Sequence, residues 1–217
     1  MIMRHLIISL LSTQVVFTSF AQQTANDSLR IKTDTVSSSW SFAADAYYYI
    51  LPREENRTTV LGYADHKSLH LEARYNYEDR KTGSVFGGYM FETGNKLVLT
   101  LTPMIGFVFG NTNGIAPALE ASLTWKKFDF YSETEYVFDF DGKENNFLYT
   151  WTELAITPFR NFRSGISANR TRLFQSDLEV EKGIFTEYSF WKLTAGVHYF
   201  NPFSNDEFVI VTLGIEF

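Results

Sequence analysis

Residues 128–140 read FDFYSETEYVFDF. Taken alternately, Phe128, Phe130, Ser132, Thr134, Tyr136, Phe138 and Phe140 fall on one side, and Asp129, Tyr131, Glu133, Glu135, Val137 and Asp139 fall on the other. A strand sends successive side chains to opposite faces, so this stretch has one greasy face and one acidic face. Its length matters as much as its period. Strands of soluble proteins run about 5 to 6 residues, whereas a strand that crosses a bilayer needs about 9 to 11.

The same alternation recurs on both sides of this stretch. Leu69, Leu71, Ala73, Tyr75 and Tyr77 alternate with His70, Glu72, Arg74 and Asn76, and Leu97, Leu99 and Leu101 alternate with Val98, Thr100 and Thr102. Leu119, Ala121, Leu123 and Trp125 alternate with Glu120, Ser122, Thr124 and Lys126, and the chain ends with Val209, Val211, Leu213, Ile215 and Phe217 on one face. No segment after the first twenty residues sustains i, i+3, i+4 spacing, so the expected fold is all-β. Alternation alone also fits a soluble sandwich or a lipocalin-like barrel with its apolar face inward. Three features favour the opposite orientation. The runs are long, and aromatics gather at their ends (Tyr47-Tyr48-Tyr49, Tyr75/Tyr77, Phe107/Phe109, Phe138/Phe140, Tyr199/Phe200), as interfacial girdles require. The polar faces also carry mid-strand Glu, Asp, Arg and His, which a wet lumen tolerates and a dry core does not. Open strand edges cannot exist in lipid, so the sheet must close.

Working back from Phe217, the runs are 207–217, 191–200, 181–189, 161–173, 146–157, 127–140, 115–126, 96–109, 83–92 and 67–78, with 40–51 and a weaker 57–64 before them. Tight connections (around 190–191, 158–161, 126–127 and 93–95) alternate with longer polar ones (201–206, 174–180, 141–145, 110–114 and 79–82), which is the pattern of short periplasmic turns and longer external loops. Both ends of such a barrel lie on one side, so the count is even. The expectation is an antiparallel transmembrane β-barrel of about 12 strands, with 10 as the alternative. In 161–173, Phe162, Ile166 and Ala168 share a parity with Arg170 and Arg172, and a bulge near Asn169 would reconcile them.

Residues 1–21 have the order of a cleaved secretory signal peptide: a basic start at Arg4, an apolar stretch Leu6–Phe20, and small residues at Ser19 and Ala21. Residues 22–39 are a polar lead-in without hydrophobic period, which leaves 40–217 for the barrel. The 217 residues include no Cys, 17% aromatics and 20% charged residues, which excludes intrinsic disorder, a disulfide-stapled scaffold and thiolate metal sites. A formal charge of −6 argues against nucleic acid as a partner.

The last residues, Thr212-Leu213-Gly214-Ile215-Glu216-Phe217, resemble the terminal strand signature of bacterial outer-membrane proteins, a final aromatic with alternating hydrophobics. Together with YNYED at 75–79, TPMIGFVFGNTNGIAP at 102–117, YSETEYVFD at 131–139 and NRTRLFQ at 169–175, the chain resembles small outer-membrane β-barrel (porin-like) proteins of Gram-negative bacteria over most of 40–217. That resemblance implies export through the periplasm to the outer membrane, and partners limited to membrane lipids and the barrel assembly machinery, which would read the strand ending in Phe217. It assigns no substrate and no functional residues.

The informative constellation is the ionisable set on the inner faces. Asp45, His70, Glu72, Arg74, Glu120, Glu133, Glu135, Glu153 and Glu187 are the pore-lining candidates, with Asp129, Asp139 and His198 on the same faces and Arg163, Arg170 and Arg172 less firmly placed. Glu120, Glu133, Glu135 and Glu153 come from three successive strands and are expected to share one acidic patch. Two readings stay open: a Glu–Arg–Tyr network that braces or plugs the lumen, and a constriction that favours cations. No metal ligand set or cofactor site is fixed by the spacing. Catalysis is not expected. No Gly-x-Ser-x-Gly elbow occurs, and Ser68, His70 and Glu72 on one strand face lie about 7 Å apart in succession, too far for an assured relay. Thr157-Pro158-Phe159-Arg160 only partly echoes an outer-membrane phospholipase pattern. The expected role is a porin-like, monomeric channel for small polar solutes with a mild cation preference. A plugged structural or interaction barrel and a lipid-modifying enzyme are the alternatives.

Overall fold

The computed structural model describes residues 39–173 and 179–217. The expected signal segment and all but the end of the polar lead-in lie outside the described residues, as do most of the 174–180 connection and the side chain of Arg172.

Thirteen strand segments follow one another around a single antiparallel sheet: β1 (Ser41–Ile50), β2 (Arg57–His66), β3 (Leu69–Tyr75), β4 (Gly83–Tyr89), β5 (Phe91–Gly94), β6 (Leu97–Phe109), β7 (Gly114–Trp125), β8 (Phe128–Asp139), β9 (Phe147–Phe159), β10 (Phe162–Leu173), β11 (Glu179–Phe190), β12 (Leu193–Phe200) and β13 (Phe208–Glu216). β1 pairs with β13, and β4 pairs with both β3 and β6, so the sheet closes on itself. β4 and β5 hold one continuous register against β6, from Gly83↔Phe109 to Gly94↔Val98, and are two parts of one strand. The barrel therefore has twelve strands. The break in β4–β5 falls opposite Pro103, and a second gap in pairing, between β7 and β8, falls at Pro117. A proline has no N–H to give the ladder, so each interrupts the bonds without shifting the register. Apart from one short 3-10 turn at Lys143–Asn145, the described residues contain no helix.

The two ends of the barrel differ as the sequence suggested. At one end lie the start of β1, the end of β13 and five two-residue turns, after β2, β5, β7, β9 and β11. Lys67, Lys126, Asn161 and Trp191 take left-handed backbone in four of these turns. At the other end lie the longer connections, including 51–56, 76–82, 140–146 and 201–207.

The apolar face looks out. Leu119 is 44% exposed and Leu213 is 53% exposed, while their neighbours Glu120 and Thr212 are buried in the interior. Hydroxyls on the outer wall are matched to each other, Ser132 with Thr152 at 3.0 Å and Thr134 with Thr150 at 3.3 Å, as a medium without water demands. The aromatic assignments need correction. Tyr48, Tyr75, Phe107, Phe109, Phe138 and Phe140 do project outward near the loop end. Tyr47, Tyr49, Tyr77 and Phe200, from the same clusters, sit on the inner face and pack in or against the lumen. A second outward belt near the turn end, with Trp125, Phe128, Phe159, Phe190 and Trp191, was not anticipated.

The expected bulge near Asn169 is absent. β10 pairs with β11 without interruption from Phe162↔Tyr188 to Thr171↔Glu179, and the irregularity against β9 lies instead between Phe162 and Ser164. Arg163 and Asn169 consequently point in, and Arg170 points out and is exposed. Arg170 lies near the loop end of its strand, where a long side chain can carry its charge to the interface.

Candidate functional site: the acidic lumen

Strand parity places every candidate from the sequence on the inner wall: Asp45 on β1, His70, Glu72 and Arg74 on β3, Glu120 on β7, Glu133 and Glu135 on β8, Glu153 on β9 and Glu187 on β11. They do not form one patch. Apart from Asp45, they divide into two groups, each gathered around one buried arginine.

The first group crosses the lumen. Arg74 donates from Nε to Glu72 Oε2 at 2.5 Å and from Nη1 to Glu135 Oε2 at 3.0 Å, and its Nη1 forms an ion pair with Glu133 Oε1 at 2.7 Å. β3 and β8 stand four places apart in the twelve-strand wall, so this guanidinium is a strut between strands that do not touch. Its flat faces lie against Phe86, at 4.2 Å from the ring centre, and Tyr77, at 4.6 Å. His70 extends the group, with Nδ1 at 2.6 Å from Asp65 Oδ1 and Nε2 at 2.8 Å from Glu72 Oε1. Tyr77 donates its hydroxyl to Glu133 at 2.8 Å, and Tyr131 donates to Glu120 at 2.6 Å. Glu78, on the loop after β3, accepts from Ser84 at 2.5 Å. Burial pushes its carboxyl above the ordinary range, against the opposing pull of Arg74.

The second group stays within five adjacent strands, β8 to β12. Arg163 donates from Nε and Nη2 to Asp129 Oδ1 at 2.9 and 2.6 Å, and from Nη1 to Glu153 Oε2 at 2.8 Å and Glu187 Oε2 at 3.0 Å. Trp151 donates its indole N–H to Glu153 Oε1 at 3.0 Å. His198 stacks on Phe185 at 4.9 Å, about 4 Å from Glu153 and Glu187. Glu153 thus belongs here, apart from Glu120, Glu133 and Glu135.

Between the groups lies a cavity of ≈ 630 Å³. Its lining runs from Lys67, Ser68, Met90 and Glu92 near the turn end to Tyr49, Tyr77, Tyr149 and Trp151 further in. Neither Arg74 nor Arg163 belongs to that lining, because each is screened behind its own carboxylates. Nearer the loops two apolar clusters fill the barrel, one around Phe86, Met104, Val108, Val137 and Phe147 and the other around Tyr49, Trp151, Phe200, Phe208 and Ile210, and Tyr149 packs against both. Sequence reasoning missed Asp65 and Tyr63 as parts of this wall, although their parity within β2 was a usable signal; Tyr131 falls, as its parity in 128–140 predicts, on the inner face.

For catalysis the geometry is unhelpful. Both ring nitrogens of His70 are taken by carboxylates, so Ser68 finds no free imidazole nitrogen there. The Pro158 carbonyl in the phospholipase-like stretch accepts the Lys127 ammonium at 2.8 Å.

No protein-family model and no curated protein sequence matches the chain. Solved structures do. The chain is similar to the KdgM porin in complex with disordered oligogalacturonate, at TM-score 0.59 and 12% identity over 81% of this chain and 99% of that one. It is also similar to the KdgM porin alone, at TM-score 0.54 and 10% identity over 81% and 98%, and to the NanC porin, at 0.53 and 10% over 81% and 98%. At such identities the likeness is one of backbone architecture: the chain has the fold of a small, porin-like transmembrane β-barrel.

Proposed function

We propose that the protein is a channel of the bacterial outer membrane for small polar solutes, with a mild preference for cations. One observation carries this reading: the cavity wall presents carboxylates while the arginines that partly balance them stand behind it. Rings of Asp and Glu favour cations in pores. The similar KdgM structure holds an acidic oligosaccharide, and a wall of this charge would repel such a solute, so the fold would be shared and the cargo not. In this reading the five tight turns and both termini face the periplasm, residues 1–21 are removed on export, the chain works as a monomer, and the assembly machinery engages the last strand. Phe217 is tied to that strand's neighbour by its N–H to the Phe42 carbonyl at 2.9 Å.

The test is single-channel recording in planar bilayers under a KCl gradient. Discrete steps with a reversal potential of cation-selective sign are expected, moving toward zero in a variant carrying Glu120→Gln and Glu133→Gln. A second reading has its own support, since the apolar clusters that meet at Tyr149 favour a barrel closed on the loop side. Silence at every voltage would favour that plugged barrel and contradict the channel.

A further inference from the structure

The cavity has a character that neither a water-filled pore nor a bracing network requires. Seven carboxylic side chains line it, against one lysine at the turn end and two imidazoles. Six tyrosines and Trp151 supply the rest of its reactive surface. Three of the carboxylates, Asp45, Asp65 and Glu120, form no ion pair with an arginine or lysine among the described residues; Asp65 faces His70, and Glu120 accepts a hydrogen bond from the Tyr131 hydroxyl. Two further wall residues are buried with a polar atom that has no hydrogen-bond partner: Thr100 Oγ1, and His198 Nδ1, which stands 4.0 Å from Glu153 Oε1. Each can accept a hydrogen bond, and a buried acceptor left unmatched is costly enough to need an explanation.

We infer that this cavity is a recognition site for a small organic cation, an aliphatic amine or quaternary ammonium, and this inference rests on the channel reading proposed above. A protonated amine brings only donors, which suits a wall of carboxylates and unmatched acceptors; a quaternary ammonium brings none and is held by charge and ring faces alone. Its methylenes or methyls suit the tyrosine and indole faces, which attract cations through their ring quadrupoles. A volume of ≈ 630 Å³ lies within the range of about 300 to 1,000 Å³ seen for small-molecule sites. Carboxylates reach the cavity from both arginine-centred groups and from Asp45 on β1, so a linear diamine could be held at two points. A simple acidic constriction would use the charge and leave the aromatic wall without a role.

The intrinsic fluorescence of the protein provides the assay. Of its four tryptophans, Trp151 lines the cavity, while Trp40, Trp125 and Trp191 are on the exposed outer surface. The full-length chain purified in detergent is titrated at fixed ionic strength with 1,4-diaminobutane and with tetramethylammonium, and in parallel with 1,4-butanediol, galactose and galacturonate. Calorimetry checks each titration. Saturable binding of the two cations is expected, with the diol, the neutral sugar and the acidic sugar at least about tenfold weaker. Asp45→Asn combined with Glu120→Gln should weaken the amine by about tenfold or more, with native barrel mobility on unheated gels showing that the variant folds. Glu120→Asp should recover much of the loss. Tighter binding of galactose than of either cation, or amine affinity indifferent to both substitutions, would overturn the inference. Conducting barrels that bind no amine would overturn it and leave the channel standing, whereas amine binding by a barrel that never conducts would support the site and remove the channel.

Discussion

At the scale of the residue, the lumen is governed by two guanidiniums, Arg163 serving three carboxylates and Arg74 four. Arg163 is 2% exposed and contacts Asp129, Glu153 and Glu187. Removing one partner from a buried ionic group strands the others, at a cost of about 3 to 5 kcal/mol. Arg163→Met should lower unfolding stability in detergent by roughly that amount, read as the urea midpoint. Adding Asp129→Asn, Glu153→Gln and Glu187→Gln to the same chain should restore most of the loss, because no unpaired charge then remains. An Arg163→Met midpoint equal to the parent's would contradict the assigned network. Arg163 was half legible beforehand. The parity of Phe162, Ile166 and Ala168 already turned it inward, yet Arg170 on the outer parity looked forbidden in lipid and prompted a bulge that does not exist. Depth along the strand resolves the conflict, and a linear sequence gives no depth until the strand ends are known.

At the scale of the element, strands were the most readable feature, since alternation continues until a turn or loop stops it. The runs 115–126, 127–140 and 96–109 differ from β7, β8 and β6 by a residue or so at each end. Interior packing between strands was not readable. Gly106 on β6 lies directly across from Phe86 on β4, and a Cβ there would meet the Phe86 ring at 2.4 Å. That ring in turn supports the Arg74 guanidinium. Gly106→Val should therefore cost about 1 to 3 kcal/mol by overpacking, measured by urea unfolding, and pairing it with Phe86→Ala should return part of that loss by vacating the ring. Gly106→Val as stable as the parent, with unchanged near-ultraviolet dichroism, would mean that Phe86 does not occupy the hollow over Gly106. The sequence offered only a glycine in a long strand, a general hint of close approach, without naming the ring that approaches.

At the scale of the whole molecule, closure, strand number and the direction of the apolar face all follow from period, length and the spacing of turns. The partition of the acids does not. Arg74 and Glu135 are 61 positions apart and meet only because closure brings the inner faces of β3 and β8, four strands apart, within reach of each other, and strand pattern cannot say which inner side chains will meet at what height. The account as a whole depends on hydrocarbon meeting the Leu119 and Leu213 face. The chain has no cysteine of its own, so a bimane probe can be placed singly by Leu119→Cys, Leu213→Cys or, on the cavity wall, Thr194→Cys. In vesicles of lipids brominated along their acyl chains, the first two probes should be strongly quenched and the third left bright and open to aqueous iodide. Quenching of the Thr194→Cys probe by bromolipid, with the Leu119→Cys and Leu213→Cys probes reached only by iodide, would contradict the account at its centre.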